Sequence, residues 1–257
     1  MDEVAFPIES KDLIEGLGKG LRVIEAFDED HPRLTPSETA ERTGITRTAA
    51  RRYLLSLAHF GYAATDGKHF WLAPRVLRLG QSYLGGARLP RLVQSFIQRV
   101  SMQCGETVNV SVLDGHEVVY VSRSNPLRLV SIGYHVGARI PAHVVTPGVA
   151  MLATFGNEAL DDWIAAHGFT AFTSHTVTDP ATFREHVVSA RSLNYWITSQ
   201  QLDLGLRGIA MALIDRRGEC KGAIGMTVQS QAYSVEDLVD RLLPLLREAA
   251  QSLRPLI

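Results

Sequence analysis

The apolar positions that follow the N-terminus recur every three or four residues, which predicts helices. A first helix is expected over residues 17–28, and a second in the segment LTPSETAERTG. Thr35 can cap this second helix, and Glu38, three residues on, completes a capping box, with Pro36 in the first helical position. Gly44 can end the helix because glycine adopts the left-handed conformation at little cost.

A third helix is predicted directly after this turn, with Thr46 as its cap. Its apolar residues repeat at helical spacing and predict a buried stripe, whereas the opposite side is cationic. Two short helices joined by a tight turn with glycine form a helix-turn-helix, in which the second helix reads DNA. The apolar stripe consists of Ala50, Tyr53, Leu54, Leu57 and Ala58, and the cationic face consists of Arg47, Thr48, Arg51 and Arg52.

The next segment, YAATDGKHFWL, predicts two short strands around the turn signal Asp66-Gly67. A hairpin beside a helix-turn-helix forms a wing. Lys68 and His69 lie at its tip, where they could reach a phosphate or the minor groove. The first seventy residues therefore predict a winged helix-turn-helix.

Charge is unevenly distributed along a chain whose formal net charge is only −1. Residues 1–15 hold five acidic side chains and one lysine, whereas residues 16–90 hold eleven basic and seven acidic ones. A solvated arginine face on a three-helix bundle is the alternative interpretation. The capping box, the glycine turn, the wing and the local positive charge together favour double-stranded DNA, because arginines neutralise phosphates and pair with guanine edges.

After the wing, the pattern changes from helices to an antiparallel sheet. Pro74 can begin a connecting helix that Gly85-Gly86 ends, and residues 88–104 predict an amphipathic helix. Alternating valines predict a hairpin over Asp114-Gly115, with Val108, Val110 and Val112 on one face and Val119 and Val121 on the return strand.

The remaining segments extend this sheet and flank it with helices. LRLVSIGYHVGARIP predicts a third strand that ends at Pro141, and a long hairpin is predicted over Arg217-Gly218. Strands in this order with flanking helices predict an α+β architecture. Helices are expected from Thr146-Pro147 onward and over residues 157–167, 179–192 and 234–254.

The sequence contains no motif for a catalytic serine, a nucleotide-binding loop or a zinc protease. Cys104 and Cys220 lie outside any CxxC or Cys/His cluster, which predicts reduced thiols in a cytoplasmic protein. The N-terminus does not read as a signal peptide, and no apolar run approaches the ~18 residues that span a bilayer. We therefore predict no enzymatic activity, no metal, no cofactor and no membrane partner.

Five segments resemble a known family from about residue 16 onward: GLGKGLRVIEAF, LTPSETAERTGITRTAARRYLLSLAHFGY, PRVLRLG, GARIPAHVVTPGVAMLA and LDLGLRGIAMALIDRRGECKGAIGMTV. Their order and spacing resemble the IclR family of bacterial transcriptional regulators, and TRTAARRYLLSL resembles its protocatechuate and 4-hydroxybenzoate pathway regulators. The resemblance implies a winged helix-turn-helix domain, a linker helix and a GAF-like effector domain with an antiparallel sheet and flanking helices. It also implies homodimers that can form tetramers. The expected divisions are an acidic tail (1–15), the DNA-binding domain (16–73), the linker helix (74–87) and the effector domain (88–257).

The same resemblance implies a pocket for a small organic or aromatic acid in the C-terminal domain. Thr198 and Ser199 stand where relatives frequently carry a carboxylate, and Pro147 supplies no N–H donor. Arg139 or His143 could supply a cation, the alternatives being a salt bridge and a loop hydrogen bond. The matching pocket positions are Leu129, Ile132, Ile140, Thr146, Pro147, Thr198, Gly208, Gly225 and Thr227.

The predicted function is a DNA-binding regulator of an aromatic-acid catabolic operon, controlled by an acid bound in the C-terminal domain. A short-chain keto or hydroxy acid is the alternative effector. An enzyme with a DNA-binding head and an architectural DNA binder are alternatives from other classes. The predicted DNA contacts are Thr46, Arg47, Thr48, Arg51, Arg52, Lys68 and His69.

Overall fold

The computed structural model describes residues 8–124, 126 and 133–257 of the chain. Internal contacts divide it into two compact units, Met1–Ser82 and Tyr83–Ile257. The predicted pocket positions Leu129 and Ile132, and the first seven residues of the predicted acidic tail, lie outside the described residues.

The first unit contains the predicted helix-turn-helix. Helices α1 (Glu15–Glu25), α2 (Pro36–Thr43) and α3 (Arg47–His59) follow one another along the chain. The capping box is confirmed: Thr35 Oγ1 accepts from the Glu38 N–H, and Glu38 Oε2 accepts from the Thr35 N–H. Gly44 ends α2 with a φ of 68°, as predicted, and Thr46 caps α3 by accepting from the Ala49 N–H.

The core of this unit is small, and it confirms the predicted apolar stripe of α3. Val23, Leu54 and Phe70 are fully or almost fully buried, and Tyr53, Leu57 and Ala58 pack against them. Ala50 is also buried. Leu17 and Leu21 of α1 are exposed in the single chain.

The wing is a hairpin of β1 (Ala63–Thr65) and β2 (Phe70–Leu72), but its turn differs from the prediction. Thr65 pairs with Phe70, so four residues rather than two form the loop. Asp66 Oδ1 accepts from the N–H groups of Lys68 and His69, and Gly67 has a φ of 94°. These side-chain hydrogen bonds stabilise the wider loop.

The helices of the second half lie close to their predicted positions. The unit boundary at Ser82 falls within α4, and α5 matches its predicted range. The helices are α4 (Leu77–Gly86), α5 (Arg88–Cys104), α6 (Thr146–Leu152), α7 (Asn157–Ala166), α8 (Pro180–Leu193), α9 (Val235–Asp237) and α10 (Leu243–Leu253).

A π-helical turn, Leu238–Leu242, connects α9 to α10 within the predicted C-terminal helix. Pro244 follows this turn and has no N–H to donate to the carbonyl four residues earlier, which accounts for the irregularity. No helix among the described residues is long and apolar enough to cross a membrane.

The sheet of the second unit is antiparallel, in the order β5-β4-β3-β8-β7-β6. Both predicted hairpins are confirmed: β3 pairs with β4, and β7 with β8. The strands are β3 (Val108–Asp114), β4 (Glu117–Arg123), β5 (Arg139–Pro141), β6 (Trp196–Ser199), β7 (Leu206–Ile214) and β8 (Cys220–Gln229).

The two faces of this sheet have different partners. One face, with Val108, Val110 and Val121, packs against α5 and α10, as the alternating valines predicted. On the opposite face Val118 and Tyr120 belong to a second cluster, with α6, α7 and α8. This opposite face also carries polar residues, and it is the face that opens into a cavity.

The predicted strand ending at Pro141 is short among the described residues. β5 begins only at Arg139. Gly133 and Gly137 have φ values of 107° and 92°, and the Ala138 N–H donates to the His135 carbonyl. This turn takes residues 133–136 out of the sheet, which corrects the prediction for them, whereas Gly137 and Ala138 still exchange backbone hydrogen bonds with Tyr120.

Candidate functional site

The cationic face of α3 is exposed, as the pattern predicted. Arg47, Arg51 and Arg52 are solvent-exposed, and so is Thr48. Within the described ranges, no acidic side chain lies within ion-pairing distance of these three arginines. Arg42 of α2 contrasts with them, because it pairs with Asp28 and donates to the Ala26 carbonyl. The α3 arginines are therefore available to an external anion.

The wing tip places a second set of polar groups in solvent. Lys68 is exposed, and His69 Nδ1 lies 3.5 Å from Asp66 Oδ2. Hydrogen bonds from the His69 and Lys68 N–H groups lower the pKa of Asp66. Arg33 stacks on Trp71 of β2 with its Cζ 4.1 Å from the ring centroid, which adds a cation beside the wing.

A cavity that is open to solvent lies on the polar face of the sheet in the second unit. It is bounded by β3, β4, β6, β7 and β8, the start of α6, and the segments around residues 134 and 200–203. The predicted position Ile140 is buried in the second apolar cluster and does not line the cavity. The predicted positions that do line it are Thr146, Pro147, Thr198, Gly208, Gly225 and Thr227.

One end of the cavity is formed by a hydroxyl pair above a glycine. Thr146 Oγ1 and Thr198 Oγ1 are 2.6 Å apart, and both residues are buried. A Cβ at Gly208 would lie 2.3 Å from Thr146 Oγ1. Because Gly208 has no side chain, the hydroxyl pair can lie directly against the backbone of β7. Both hydroxyl groups can donate or accept, which suits a carboxylate or a carbonyl oxygen.

The other end holds polar groups that the sequence did not single out. Asn109 and Ser111 alternate with the core valines of β3, so they face the cavity. Asn109 Oδ1 and Gln201 Oε1 are buried without a hydrogen-bond partner. On β3, Asn109 alternates with the core valines and therefore points to the opposite face of the sheet. This alternation is a signal that could have identified Asn109 from the sequence.

Aromatic groups form a wall beside this end. Tyr120 and Tyr134 pack with ring centroids 5.4 Å apart, and Tyr134 donates its hydroxyl hydrogen to Asp203 Oδ2. Burial raises the pKa of both phenols, and for Tyr134 the Asp203 carboxylate adds to that effect. Arg123 Nη1 donates to the carbonyls of Gly133 and Tyr134 and holds this segment against β4.

The cation candidates do not reach the cavity from the positions that the sequence suggested. Arg139 pairs with Asp114 and Glu117 at 2.7 Å each. Arg207 contributes to the cavity wall, but its guanidinium donates to the Tyr233 carbonyl and to Ser199 Oγ. Strand alternation places Arg207 and Ser199 on the face opposite Thr198 and Gly208. Among the described lining residues, hydroxyl and amide groups therefore predominate over cations.

His143 belongs instead to a chain of three histidines. Its Nε2 lies 3.0 Å from the Thr170 carbonyl, so this nitrogen must carry the hydrogen. His143 Nδ1 then accepts from His167 Nε2 at 2.7 Å, and His167 Nδ1 accepts from His116 Nδ1 at 3.2 Å. Each hydrogen position follows from the previous one, and the chain requires neutral His143 and His167. No group in the described part of the chain has the geometry of a three-residue metal site.

The histidine chain makes stability dependent on pH. Burial lowers the pKa of His143, and burial together with the neighbouring histidines lowers that of His167 to about 4. Below the ordinary histidine pKa of about 6.5, these two histidines therefore bind protons in the unfolded chain but not in the native state. We expect the free energy of unfolding to be steady above that pH and to fall as the pH drops from about 6.5 to about 4.

Urea unfolding of the full chain at a series of pH values measures this effect. His167→Asn should be less stable at neutral pH but should show a shallower pH dependence across the same interval. His175→Asn, at an exposed histidine, is the matched control and should retain the slope of the parent. Equal slopes for His167→Asn and the parent would contradict the assignment.

Comparisons with known proteins cover both units. Residues 16–67 match the model of the IclR helix-turn-helix domain, and residues 81–254 match that of the C-terminal domain of bacterial IclR transcriptional regulators. The p-hydroxybenzoate hydroxylase transcriptional activator of Acinetobacter baylyi is 41% identical over 255 residues, covering 97% of this chain and 94% of the relative. The Pca regulon regulatory protein of Pseudomonas putida is 33% identical over 243 residues, covering 94% and 84%.

A solved structure adds a bound ligand. The inducer-binding domain of a double mutant of PobR from Acinetobacter, in complex with 3-hydroxybenzoic acid, is 34% identical to this chain, with a TM-score of 0.63. The match covers 66% of this chain and all of that domain. The predicted fold class and the predicted resemblance to aromatic-acid pathway regulators are confirmed by these matches.

Proposed function

The chain belongs to the IclR family of bacterial transcriptional regulators, and from that premise we propose that a hydroxylated benzoate bound in the cavity controls its affinity for operator DNA. The observation that carries the proposal is the cavity itself, which is lined by a buried hydroxyl pair, by amide groups and by the paired rings of Tyr120 and Tyr134. Relatives that are named for the p-hydroxybenzoate and Pca systems support an aromatic acid over a short-chain acid. The regulated genes are then those of an aromatic-acid catabolic pathway.

The DNA contacts are assigned to the first unit. We propose that Arg47, Thr48, Arg51 and Arg52 enter the major groove and that the wing contacts the adjacent backbone. Exposure of all four side chains and the absence of acidic partners for the arginines among the described residues support this role. Thr46 caps α3 and can donate its hydroxyl hydrogen to a phosphate. The wing contacts are Lys68 and His69.

We propose that the protein acts as a homodimer, with a tetramer as a further assembly, and that residues 74–87 link the DNA-binding and effector domains. Apolar side chains of the first unit, Ile14, Leu17 and Leu21, are exposed in the single chain and would be covered in a dimer. Light scattering of the purified protein measures the assembly, and a monomer at micromolar concentration would contradict it.

A thermal-shift screen of the full chain tests the effector class. A ligand that binds only the native state raises stability by RT ln(1 + [L]/Kd), so a hydroxybenzoate at about 100 times its Kd adds about 2.7 kcal/mol. Pyruvate and glyoxylate represent the short-chain acids. A shift with short-chain acids alone would reject the aromatic effector. Titration with and without operator DNA then tests coupling, because each ligand must alter the affinity of the other by the same factor.

Gly208→Ala should lower effector affinity by about tenfold or more, because the new methyl group would displace Thr146 Oγ1 from the hydroxyl pair. Calorimetric titration with 4-hydroxybenzoate measures the loss. Thr146→Ala removes the clashing oxygen, so the double variant should lose less than the sum of the two single variants. Additive losses would show that Gly208 and the hydroxyl pair act independently.

A further inference from the structure

Two buried acceptors of the cavity lack a hydrogen-bond partner, and they differ in rigidity. Gln201 lies in a loop, where its carbonyl accepts from the hydroxyls of Thr173 and Thr176. Asn109 lies on β3, which is paired on both sides by β4 and β8, and its side chain is almost completely buried. An unpaired buried acceptor lowers the stability of the folded chain, so Asn109 is retained on a central strand at a cost in stability.

We infer that Asn109 is the residue that determines specificity for a ring hydroxyl on the effector. Its Oδ1 would accept a hydrogen bond from a phenolic O–H, the donor that the free protein lacks. This inference rests on the proposed function, since it assigns a role within the same cavity.

The position of Asn109 relative to the hydroxyl pair sets where that hydroxyl must be. Asn109 is paired with Gly225 on β8, and β8 is paired in turn with β7, which carries Gly208 beneath the Thr146–Thr198 pair. Gly225 is opposite Ala210, so Gly208 lies two strands and two residues away from Asn109, a backbone separation of about 12 Å. Between the two ends, the paired rings of Tyr120 and Tyr134 line the cavity and can pack against an aromatic ring. An acid group at the threonine end and a hydroxyl at the far, para position fit this separation.

The hydroxyl preference can be measured on the parent protein without any substitution. The probes are 4-hydroxybenzoate and 4-methylbenzoate, which have similar shapes but differ in the hydroxyl donor. We expect 4-hydroxybenzoate to bind about tenfold more tightly or better, because 4-methylbenzoate leaves Asn109 Oδ1 unpaired. Equal affinities would overturn the inference and leave the proposed aromatic effector intact. No binding of either acid would instead reject the proposed function.

Asn109→Leu tests the residue, because leucine has a similar size and no acceptor. We expect the variant to bind both acids with affinities within about twofold of each other, while its affinity for 4-methylbenzoate stays close to that of the parent. Ser192→Ala, at an exposed residue of α8 outside the cavity, is the control and should keep the preference for the hydroxyl. Retention of the full preference by Asn109→Leu would overturn the assignment.

Stability provides an independent measurement. If Asn109 were a purely structural residue, replacing it would destabilise the ligand-free protein. Since its Oδ1 has no partner there, Asn109→Leu should unfold at the same urea concentration as the parent or at a higher one. A lower midpoint, together with weaker binding of both acids, would identify Asn109 as structural.

Discussion

Gly148→Ala should destabilise the second unit by about 3 kcal/mol, the largest stability loss that we expect from one added methyl group. The new Cβ would lie 2.1 Å from the Ala142 carbonyl oxygen and 2.7 Å from its carbon. Both contacts are with backbone, so no side-chain rotation relieves them. Replacing glycine also restricts the unfolded chain, but that gain of about 0.4–1 kcal/mol is smaller than the loss.

The surroundings of Ala142 prevent an easy adjustment. Ala142 is completely buried, and its N–H donates to the His116 carbonyl at 2.9 Å. A backbone shift there would also move Thr146, at the cavity end of α6. Urea unfolding of the full chain, followed by tryptophan fluorescence, measures the change.

Gly168→Ala is the matched control, because its Cβ would have no heavy atom within 4 Å. It should alter stability by less than about 0.5 kcal/mol. If Gly148→Ala instead unfolds at the same urea concentration as the parent, the result would contradict the close contact between α6 and the preceding turn.

Local signals allowed much of the fold to be predicted. The cap of α2 depends on side chains within three residues of each other, and the ladder of β3 depends on alternation, so both can be recognised along the chain. The wing loop was wrong in length because the Asp-Gly signal does not reveal that Asp66 also accepts from the His69 N–H. The helical spacing predicted α1 but not which of its sides is buried, because spacing alone does not show what covers an apolar stripe.

The candidate site was less accessible to sequence reasoning, because its parts come from distant segments. The pocket positions on β6, β7 and α6 came from the family resemblance, and their ligand contacts remain predictions. The histidines at 116, 143 and 167 meet only in the folded chain, and no local pattern connects them. The side of the sheet to which Arg207 points can be predicted only when the strand register is known. That register directs its guanidinium away from the cavity.

Arg51→Ala should weaken binding to operator DNA by about 1–3 kcal/mol if Arg51 pairs with a base. Arg51 is exposed on α3, one turn after Arg47, and the described structure gives it no acidic partner. An operator selected from random sequences with the parent protein supplies the probe. Fluorescence anisotropy against that operator and against permuted sequences measures the loss and its dependence on sequence.

The pattern of the loss distinguishes the kind of contact. A base contact relaxes specificity at one operator position, whereas a phosphate contact weakens binding uniformly and reduces the salt slope by about 1. Arg216→Ala is the matched control, since it removes the same charge from an exposed turn of the second unit. Because counterion release follows local rather than total charge, Arg216→Ala should bind the operator as the parent does. Unchanged operator affinity in Arg51→Ala would overturn the assignment of α3 as the DNA-reading helix.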